Sequence, residues 1–133
     1  METSCGVVLV NLDSILILQY PQGHWDLPKG HIEANDDNRK QTALRELTEE
    51  TGISDITWID GFIKKTQYEF VKKGKKIQKT VWWLLANTSE INVNLSEEHR
   101  NYLWLDWDSA INQVTHDLTK SVINSAKNFI NPN

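Results

Sequence analysis

A short acidic segment between Gly30 and Ile53 constrains this chain more than any other feature of its sequence. Because an α-helix has 3.6 residues per turn, side chains three and four positions apart lie on one face. Glu46, Glu49 and Glu50 have this spacing, which predicts that their carboxylates form a single stripe. Like charges at this spacing destabilise an isolated helix by about 0.2–0.5 kcal/mol per pair, so a cation is expected to compensate them.

The residues around the stripe predict where its helix begins and ends. Polar residues at 35–38 are good N-caps, and Gly52 stands where a left-handed residue would end the helix. We therefore predict a helix over residues 38–51, attached to the core through Ala43 and Leu47 on its apolar side. A rigid helix presents the stripe with fixed geometry, which suits a binding or catalytic site.

Two kinds of cation can neutralise the stripe. Arg45 directly precedes the first glutamate and can form bidentate contacts with a carboxylate. Mg²⁺ prefers oxygen ligands and keeps water and phosphate in its shell, so the stripe also suits a metal ion that binds a polyphosphate. A solvated acidic helix face is the alternative. The Pro-Lys-Gly-His turn at residues 28–31, together with Arg45, argues against that alternative.

Length, charge and cysteine content limit the class of protein. The 133 residues are enough for one domain with a core, and we assign residues 1–133 to it. A net charge of −4 argues against a membrane or a long nucleic acid as partner. The single cysteine, Cys5, forms no internal disulfide, which fits a reducing compartment. No signal peptide or membrane-spanning apolar run is visible, and we expect a cytoplasmic monomer.

The other apolar patterns predict strands and helices that interleave without a regular βαβ period, which favours a mixed sheet between helices. A basic segment at residues 72–76 separates the two strands of a hairpin. We interpret it as a solvated turn; electrostatic attraction of polyphosphate is the alternative. Strands are predicted at residues 4–11, 14–20, 55–65, 66–71, 77–87 and 102–105, and a C-terminal helix at residues 108–129.

The acidic segment resembles the Nudix box, G-x5-E-x7-R-E-U-x-E-E-x-G-U, in which U is a bulky aliphatic residue. Gly30 matches the first glycine, and residues 45–53 match the second half. Asp37 replaces the first glutamate, and six residues instead of five separate it from Gly30. The resemblance implies an α/β (α+β) fold, the Nudix α/β/α sandwich with a mixed β-sheet. It also places the extra residue in the loop before the helix, where Asp37 would make a weaker form of the usual loop contact.

Three further segments resemble those of asymmetric diadenosine tetraphosphate hydrolases: WDLPKGH at residues 25–31, KTVWWL at residues 79–84 and LSEEHRNYLWL at residues 95–105. Together with the box they span most of the chain in the family's order. The resemblance implies Mg²⁺-dependent hydrolysis of dinucleoside polyphosphates, with asymmetric cleavage of diadenosine tetraphosphate to ATP and AMP. Mn²⁺ is an alternative metal, and the partner is a small nucleotide substrate.

The resemblance also implies roles for the box residues. Glu49 and Glu50 are metal ligands, and Glu46 is either a ligand or the base that activates the attacking water. The backbone carbonyl of Gly30 is a further candidate metal contact. Arg45 orients a glutamate and does not touch the substrate.

Outside the box, the resemblance implies a carboxylate that binds metal or acts as a base. We choose Glu98 over Glu97 because Glu98 directly precedes His99; a solvated loop glutamate is the alternative. Lys29 and Lys79 are expected to bind phosphates, since lysine suits a point-charge contact with a flexible phosphate chain.

Base binding requires flat surfaces, and stacking on an aromatic ring contributes about 1–3 kcal/mol per base. Tyr68 and Tyr102 are our candidates for an adenine clamp. Strand alternation sends Trp82 and Trp83 to opposite faces, so only one of them can face a ligand; Trp83 is our candidate, and Trp82 is the alternative. His31 is expected either to bind a phosphate or the attacking water, or to be structural.

Two rival functions fit the same sequence. A 5′ RNA pyrophosphohydrolase or nucleoside triphosphate pyrophosphohydrolase can use the same fold, because a fold alone does not select a substrate. A non-catalytic nucleotide-binding Nudix module is the second rival. Its expected mark is loss of the box carboxylates, which are intact here.

His116 is one further candidate for an aromatic contact with the base. The resemblance implies it, because the family can supply a ring from the last helix at this position.

Overall fold

The computed structural model describes residues 1–132 and contains an eight-stranded mixed sheet that is covered by helices on both faces. The mixed sheet between helices that the sequence predicted is confirmed. The strands are β1 (Glu2–Asn11), β2 (Ser14–Gln19), β3 (Trp25–Asp26), β4 (Lys29–His31), β5 (Ile56–Trp58), β6 (Lys64–Lys72), β7 (Lys75–Thr88) and β8 (Asn101–Asp106). The helices are α1 (Arg39–Thr51), α2 (Trp107–Gln113) and α3 (Asp117–Ile130).

The centre of the sheet is a long parallel pair, β1 and β7, that begins with Glu2 opposite Lys79. β2 and β4 both pair antiparallel with the other side of β1, and β8 pairs with β2. On the far side of β7 lie β6 and β5. Since Gly30 of β4 pairs with Cys5 of β1, the glycine turn before the acidic helix lies against the centre of the sheet.

Alternation along the strands gives the sheet two apolar faces, each covered by different helices. We call them the α1 face and the α3 face. The α1 face includes Leu9, Leu16, Leu18 and Ala86, which pack with Leu47 of α1. The α3 face includes Val8, Ile17, Val81, Trp83 and Leu85, which pack with Val122, Ile123 and Ala126 of α3.

The predicted hairpin with a basic tip is confirmed as β6 and β7, and both strands are longer than expected. Lys73 and Gly74 form its turn, with φ values of 52° and 77°. Two consecutive positive φ angles are typical of the tight turn whose twist matches that of an antiparallel pair. The region predicted as a strand at residues 55–65 is interrupted at Gly61, which has a φ of 95°.

The prediction of one continuous C-terminal helix is wrong. The segment forms α2 and α3, and the break lies at residues 114–116. The backbone N–H of Trp25 donates to Oγ1 of Thr115 at 2.9 Å, and the N–H of Thr115 donates to the carbonyl of Trp25 at 3.1 Å. This contact with β3 takes the backbone of Thr115 out of the helix and leaves His116 at the N-terminus of α3. No helix in residues 1–132 has the length and apolar character needed to cross a bilayer.

Candidate active site

Helix α1 begins and ends as the sequence predicted. The side chain of Asn38 accepts a hydrogen bond from the N–H of Gln41 at 2.9 Å and so caps the first turn. Gly52 has a φ of 77°, and its N–H donates to the carbonyl of Thr48 at 2.8 Å. These caps and the buried Leu47 fix the acidic stripe relative to the sheet.

Arg45 connects the loop before α1 with the acidic stripe. Its Nη2 donates to the carbonyl of His31 at 2.8 Å, and its Nη1 donates to Oε1 of Glu46 at 2.9 Å. Nη1 also lies 3.2 Å from Oε1 of Glu49. The arginine therefore contacts two glutamates and links them to β4, and its role in orienting them stays a prediction.

The loop carboxylate that binds Arg45 is Asp36, so the assignment of that role to Asp37 is wrong. Nε and Nη2 of Arg45 donate to the two oxygens of Asp36 at 3.1 and 3.0 Å. Asp36 also accepts from the N–H of Glu33 at 2.9 Å and from Oγ1 of Thr42 at 2.8 Å. The hydrogen bond from Arg45 lowers the pKa of Asp36 far below its ordinary value.

The spacing explains why the carboxylate was misplaced by one position. Five residues separate Gly30 from Asp36, as in the Nudix pattern, and eight separate Asp36 from Arg45. The extra residue thus lies after the carboxylate, at the start of α1. Asp37 is exposed, and its backbone N–H contacts Oε1 of Gln41.

Glu46 packs directly against Gly30. A Cβ added at Gly30 would overlap the carboxyl group of Glu46, so the glycine supplies space for the glutamate. Burial is the main cause that raises the pKa of Glu46, and Arg45 acts in the opposite direction. The first glycine of the box and the first glutamate of the stripe therefore form one unit.

Glu50 is the most deeply buried carboxylate of the stripe, with 4% of the residue exposed. Its Oε2 lies 3.1 Å from Nε2 of His99, and Nδ1 of His99 lies 3.0 Å from Oγ of Ser96. Oε1 of Glu50 is buried without a hydrogen-bond partner. Burial raises the pKa of Glu50 to about 7.

The donor set fits a hard divalent cation. A buried carboxylate oxygen without a partner, next to two further carboxylates on the same helix, is the oxygen-rich environment that Mg²⁺ prefers. As they stand, no three His, Cys, Asp or Glu side chains within residues 1–132 enclose a common point. The reason is that Glu46 and Glu49 contact Nη1 of Arg45, whereas Glu50 contacts His99. Glu98, a fourth predicted carboxylate, is exposed beside the buried His99.

Tyr20 is a central residue that the sequence did not single out. Its ring stacks on His24 with centroids 4.8 Å apart and meets the edge of His99 at 4.5 Å. The Nζ of Lys29 lies 5.2 Å from the centroid of the same ring. Burial, followed by the charge of Glu50, raises the pKa of Tyr20. No local pattern distinguishes this tyrosine, because its neighbours come from four different segments.

Asp26 is the second residue that sequence reasoning missed. It is buried, and its Oδ2 lies 3.3 Å from Nζ of Lys29. Its Oδ1 accepts from the N–H of Leu27 at 2.7 Å and from Oγ1 of Thr119 at 3.0 Å. Asp26 therefore fixes the phosphate-binding candidate Lys29 and links it to α3.

The other basic candidates surround Glu2 at the start of β1. Lys79 is buried, and its Nζ lies 3.6 Å from Oε1 of Glu2. Nε2 of His31 lies 3.5 Å from the same oxygen, and Nζ of Lys72 lies 4.0 Å from Oε2. We call His31, Lys72 and Lys79 the basic cluster. Burial lowers the pKa of Lys79, and the nearby Lys29 lowers it further.

A cleft of about 350 Å³ opens on the α3 face next to Lys29. The buried residues Val81 and Trp83 form its floor, and Nε1 of Trp83 is held by a 2.9 Å hydrogen bond to Oγ1 of Thr66. Tyr68 and His116 also line the cleft, Tyr68 from β6 and His116 from the start of α3. The cleft therefore combines a flat apolar floor with two aromatic rings that can flank a planar ligand.

The structure does not bring Tyr68 and Tyr102 together, so the clamp formed by these two tyrosines is wrong. Tyr102 pairs with Leu18 across β8 and β2 and packs on the α1 face, whereas Tyr68 lines the cleft on the α3 face. The two tryptophans do separate as alternation requires. Trp83 lines the cleft, and Trp82 lies on the α1 face with the guanidinium of Arg39 3.7 Å from its ring centroid.

Comparison with known families identifies the domain. The family model described as the NUDIX domain matches residues 2–125 of this chain. The chain belongs to the Nudix family. The matched residues include α1, the segment that resembles the Nudix box.

Two curated Nudix relatives and one solved structure resemble most of the chain. The bis(5′-nucleosyl)-tetraphosphatase [asymmetrical] of Sus scrofa is 37% identical over 120 residues, which cover 86% of this chain and 79% of the relative. The protein of the same name from Rattus norvegicus is 34% identical over the same coverage. The crystal structure of a C. elegans Ap4A hydrolase binary complex has a TM-score of 0.85 and 29% identity, with both chains fully covered.

Proposed function

We propose that this Nudix protein hydrolyses dinucleoside polyphosphates and cleaves diadenosine tetraphosphate asymmetrically to ATP and AMP. The observation that carries the proposal is the position of Lys29. Its Nζ lies over the ring of Tyr20, which contacts the Glu50–His99 pair, while Lys29 itself also lines the aromatic cleft. A polyphosphate that passes Lys29 would place a base in the cleft and a phosphoanhydride beside the acidic helix. The names of the relatives agree with this substrate class.

The cation of the reaction is proposed to be Mg²⁺, with Mn²⁺ as an alternative. Glu49 and Glu50 would hold it, together with Glu46 if that carboxylate leaves Arg45; Glu98 and the carbonyl of Gly30 are further candidate contacts. When bound, a divalent cation supplies Lewis acidity that offsets phosphate charge and makes water more acidic. The chemistry of the donor set supports this choice, because all the proposed ligands are oxygens.

The chain's own residues would bind and orient the substrate. Lys29, Lys79 and His31 would contact phosphate oxygens, and Asp26 would keep Lys29 pointed along the cleft. The base would lie on Val81 and Trp83 between Tyr68 and His116. In the hydrolysis, the oxygen of water bonds to one phosphorus, the bond from that phosphorus to its bridging oxygen breaks, and a carboxylate of the site takes the proton.

The protein is further proposed to act as a monomer on free nucleotides in the cytoplasm. Its net charge of −4 supports a small substrate over a long nucleic acid. The single cysteine, Cys5, is buried and unpaired, as suits a reducing compartment.

A substrate panel in H₂¹⁸O tests the proposal. Diadenosine tetraphosphate, nucleoside triphosphates and 5′-triphosphorylated RNA are each incubated with the protein and Mg²⁺, and products are resolved by mass. We expect ATP and AMP from diadenosine tetraphosphate, with the ¹⁸O in one product only. If diadenosine tetraphosphate stays intact while another substrate is cleaved, the substrate assignment is wrong. If all of them bind and none is cleaved with Mg²⁺ or Mn²⁺, the chain is a binding module.

A further inference from the structure

Glu2 holds an unusual position for a carboxylate, at the centre of basic side chains that would bind phosphate. It pairs with Lys79 across β1 and β7, and strand alternation places both on the α3 face with Val81 and Trp83. His31 approaches from β4 and Lys72 from the end of β6. A single carboxylate thus faces three basic side chains that come from three different strands.

The contacts of Glu2 are close enough for attraction and longer than ordinary charged hydrogen bonds. They measure 3.5 Å to His31, 3.6 Å to Lys79 and 4.0 Å to Lys72, whereas charged hydrogen bonds are about 2.7–2.9 Å long. By contrast, Asp36 holds Arg45 with two oxygens at 3.0 and 3.1 Å. Glu2 is therefore attracted to the basic cluster without being locked to any member of it.

The basic cluster has no other anion within the part of the chain that the structure describes. All the ion pairs of His31, Lys72 and Lys79 in residues 1–132 are made with Glu2. Lys79 is 6% exposed, so its charge is poorly compensated by solvent and needs an anion nearby. Burial and the charge of Lys79 lower the pKa of His31, so two lysines carry the positive charge and the histidine acts as a polar neighbour. Two lysines and a histidine around one loosely held carboxylate form the kind of environment that also suits a phosphate.

We propose that Glu2 sets the affinity of the site for phosphate, as an internal anion that competes with the substrate's phosphates for the basic cluster. The inference rests on the proposed function only in that the basic cluster is where phosphates bind. A phosphate ligand must displace this covalently attached carboxylate before it contacts the basic cluster. Glu2 would therefore weaken the binding of every phosphate ligand that reaches the cluster.

The test compares Glu2→Gln with Glu69→Gln. Both variants lose one negative charge, and Glu69 is exposed on β6 next to Tyr68, so alternation directs it away from the cleft. The dissociation constant of inorganic tripolyphosphate is measured by calorimetry, and KM and kcat are measured with diadenosine tetraphosphate. We expect Glu2→Gln to lower the dissociation constant and KM about 3-fold or more, with kcat not raised. Glu69→Gln should leave the dissociation constant and KM unchanged.

The sign of the change separates the proposal from a purely structural ion pair. If Glu2 only supports the fold, Glu2→Gln lowers Tm and raises both constants, and the proposal is overturned. A dissociation constant and a KM that stay unchanged in Glu2→Gln would also overturn the proposal. Glu2→Asp, which keeps the charge, should bind tripolyphosphate more weakly than Glu2→Gln does. Because tripolyphosphate binding needs no turnover, tighter binding by Glu2→Gln in a protein that leaves diadenosine tetraphosphate intact would uphold this inference and reject the proposed function.

Discussion

No side-chain atom fits between the Cα of Gly30 and the carboxyl group of Glu46. The backbone of Gly30 is not in the left-handed region, so the need for glycine is one of space and not of conformation. A side chain here would push Glu46 away from β4 and disturb its 2.9 Å contact with Arg45.

We therefore expect Gly30→Ala to lower kcat/KM about 100-fold, the scale that follows from displacing a catalytic group by about 1 Å. The fold should persist, because the three atoms nearest to the added Cβ all belong to the Glu46 side chain, which can move away. Steady-state kinetics and circular dichroism measure the two effects. Gly74→Asn is the control, since nothing lies within 4 Å of Gly74 and asparagine tolerates positive φ. Full activity in Gly30→Ala would contradict the role assigned to Glu46.

Asp36 and Asp37 are neighbouring aspartates with the same side chain, but only Asp36 contacts Arg45. Asp36→Asn weakens the contact that fixes Arg45, and we expect activity to fall about 10- to 100-fold, as when partners that orient metal ligands are lost. Asp37→Asn should leave activity unchanged because the Asp37 side chain is exposed. Steady-state kinetics of the two variants measure both effects. A loss of activity in Asp37→Asn and not in Asp36→Asn would restore Asp37 as the loop carboxylate.

The lowered pKa of Asp36 predicts that the free energy of unfolding depends on pH. The pKa of Asp36 in the folded protein is below its ordinary value of 3.8, so the unfolded chain binds its proton more readily. Asp36 therefore stabilises the fold above about pH 4, and this stabilisation is lost as the pH falls below that value. Urea unfolding should show wild type more stable than Asp36→Asn at pH 7, with the difference shrinking toward pH 3. A difference that stays constant with pH would contradict the Arg45 contact.

Glu50→Gln is expected to remove metal binding without unfolding the chain. The substitution keeps the shape of a buried side chain and deletes a charge that burial disfavours. We expect turnover to fall about 100-fold or more, the loss of several kcal/mol of electrostatic stabilisation. Thermal unfolding gives an independent measure: millimolar Mg²⁺ should raise Tm of wild type and of the exposed control Glu97→Gln, and should not raise Tm of Glu50→Gln. An equal shift in all three would exclude Glu50 as a ligand.

Tyr68 is expected to contribute to nucleotide binding, whereas Tyr102 contributes to packing. Loss of one stacking partner costs about 1–3 kcal/mol, so Tyr68→Ala should raise KM for diadenosine tetraphosphate about 5- to 100-fold. Its dissociation constant for tripolyphosphate, which has no base, should stay the same. Tyr102→Ala should lower Tm with KM unchanged, because Tyr102 packs on the α1 face. A raised KM in Tyr102→Ala and not in Tyr68→Ala would place the base elsewhere.

The parts of the structure that follow local rules could be predicted from the sequence. Capping residues and helical spacing placed α1, and strand alternation separated Trp82 from Trp83. The break before α3 could not be predicted, because it depends on hydrogen bonds between Thr115 and Trp25, which is 90 residues away. Local periodicity there continues through the break and indicates one helix.

In the candidate site too, residues carried by one helix could be predicted, and residues that depend on distant segments could not. The glutamates of the stripe were found because one helix carries them. Tyr20 and Asp26 were missed because their roles depend on partners from distant segments, such as His99 and Thr119. Tyr102 was misassigned because its strand, β8, pairs with β2 in a register that turns the ring to the α1 face.

The hydrogen bond from Thr119 to Asp26 joins residues that are 93 positions apart. During synthesis, the acidic helix and both of its caps emerge well before the hydroxyl that steadies Asp26 and before the His116 wall of the cleft. A nascent chain that lacks α3 would thus carry the carboxylates while Asp26 still lacks its contact with Thr119 and the cleft lacks its wall on the α3 side. The proposed nucleotide cleft would therefore be completed only when the last helix packs on the sheet.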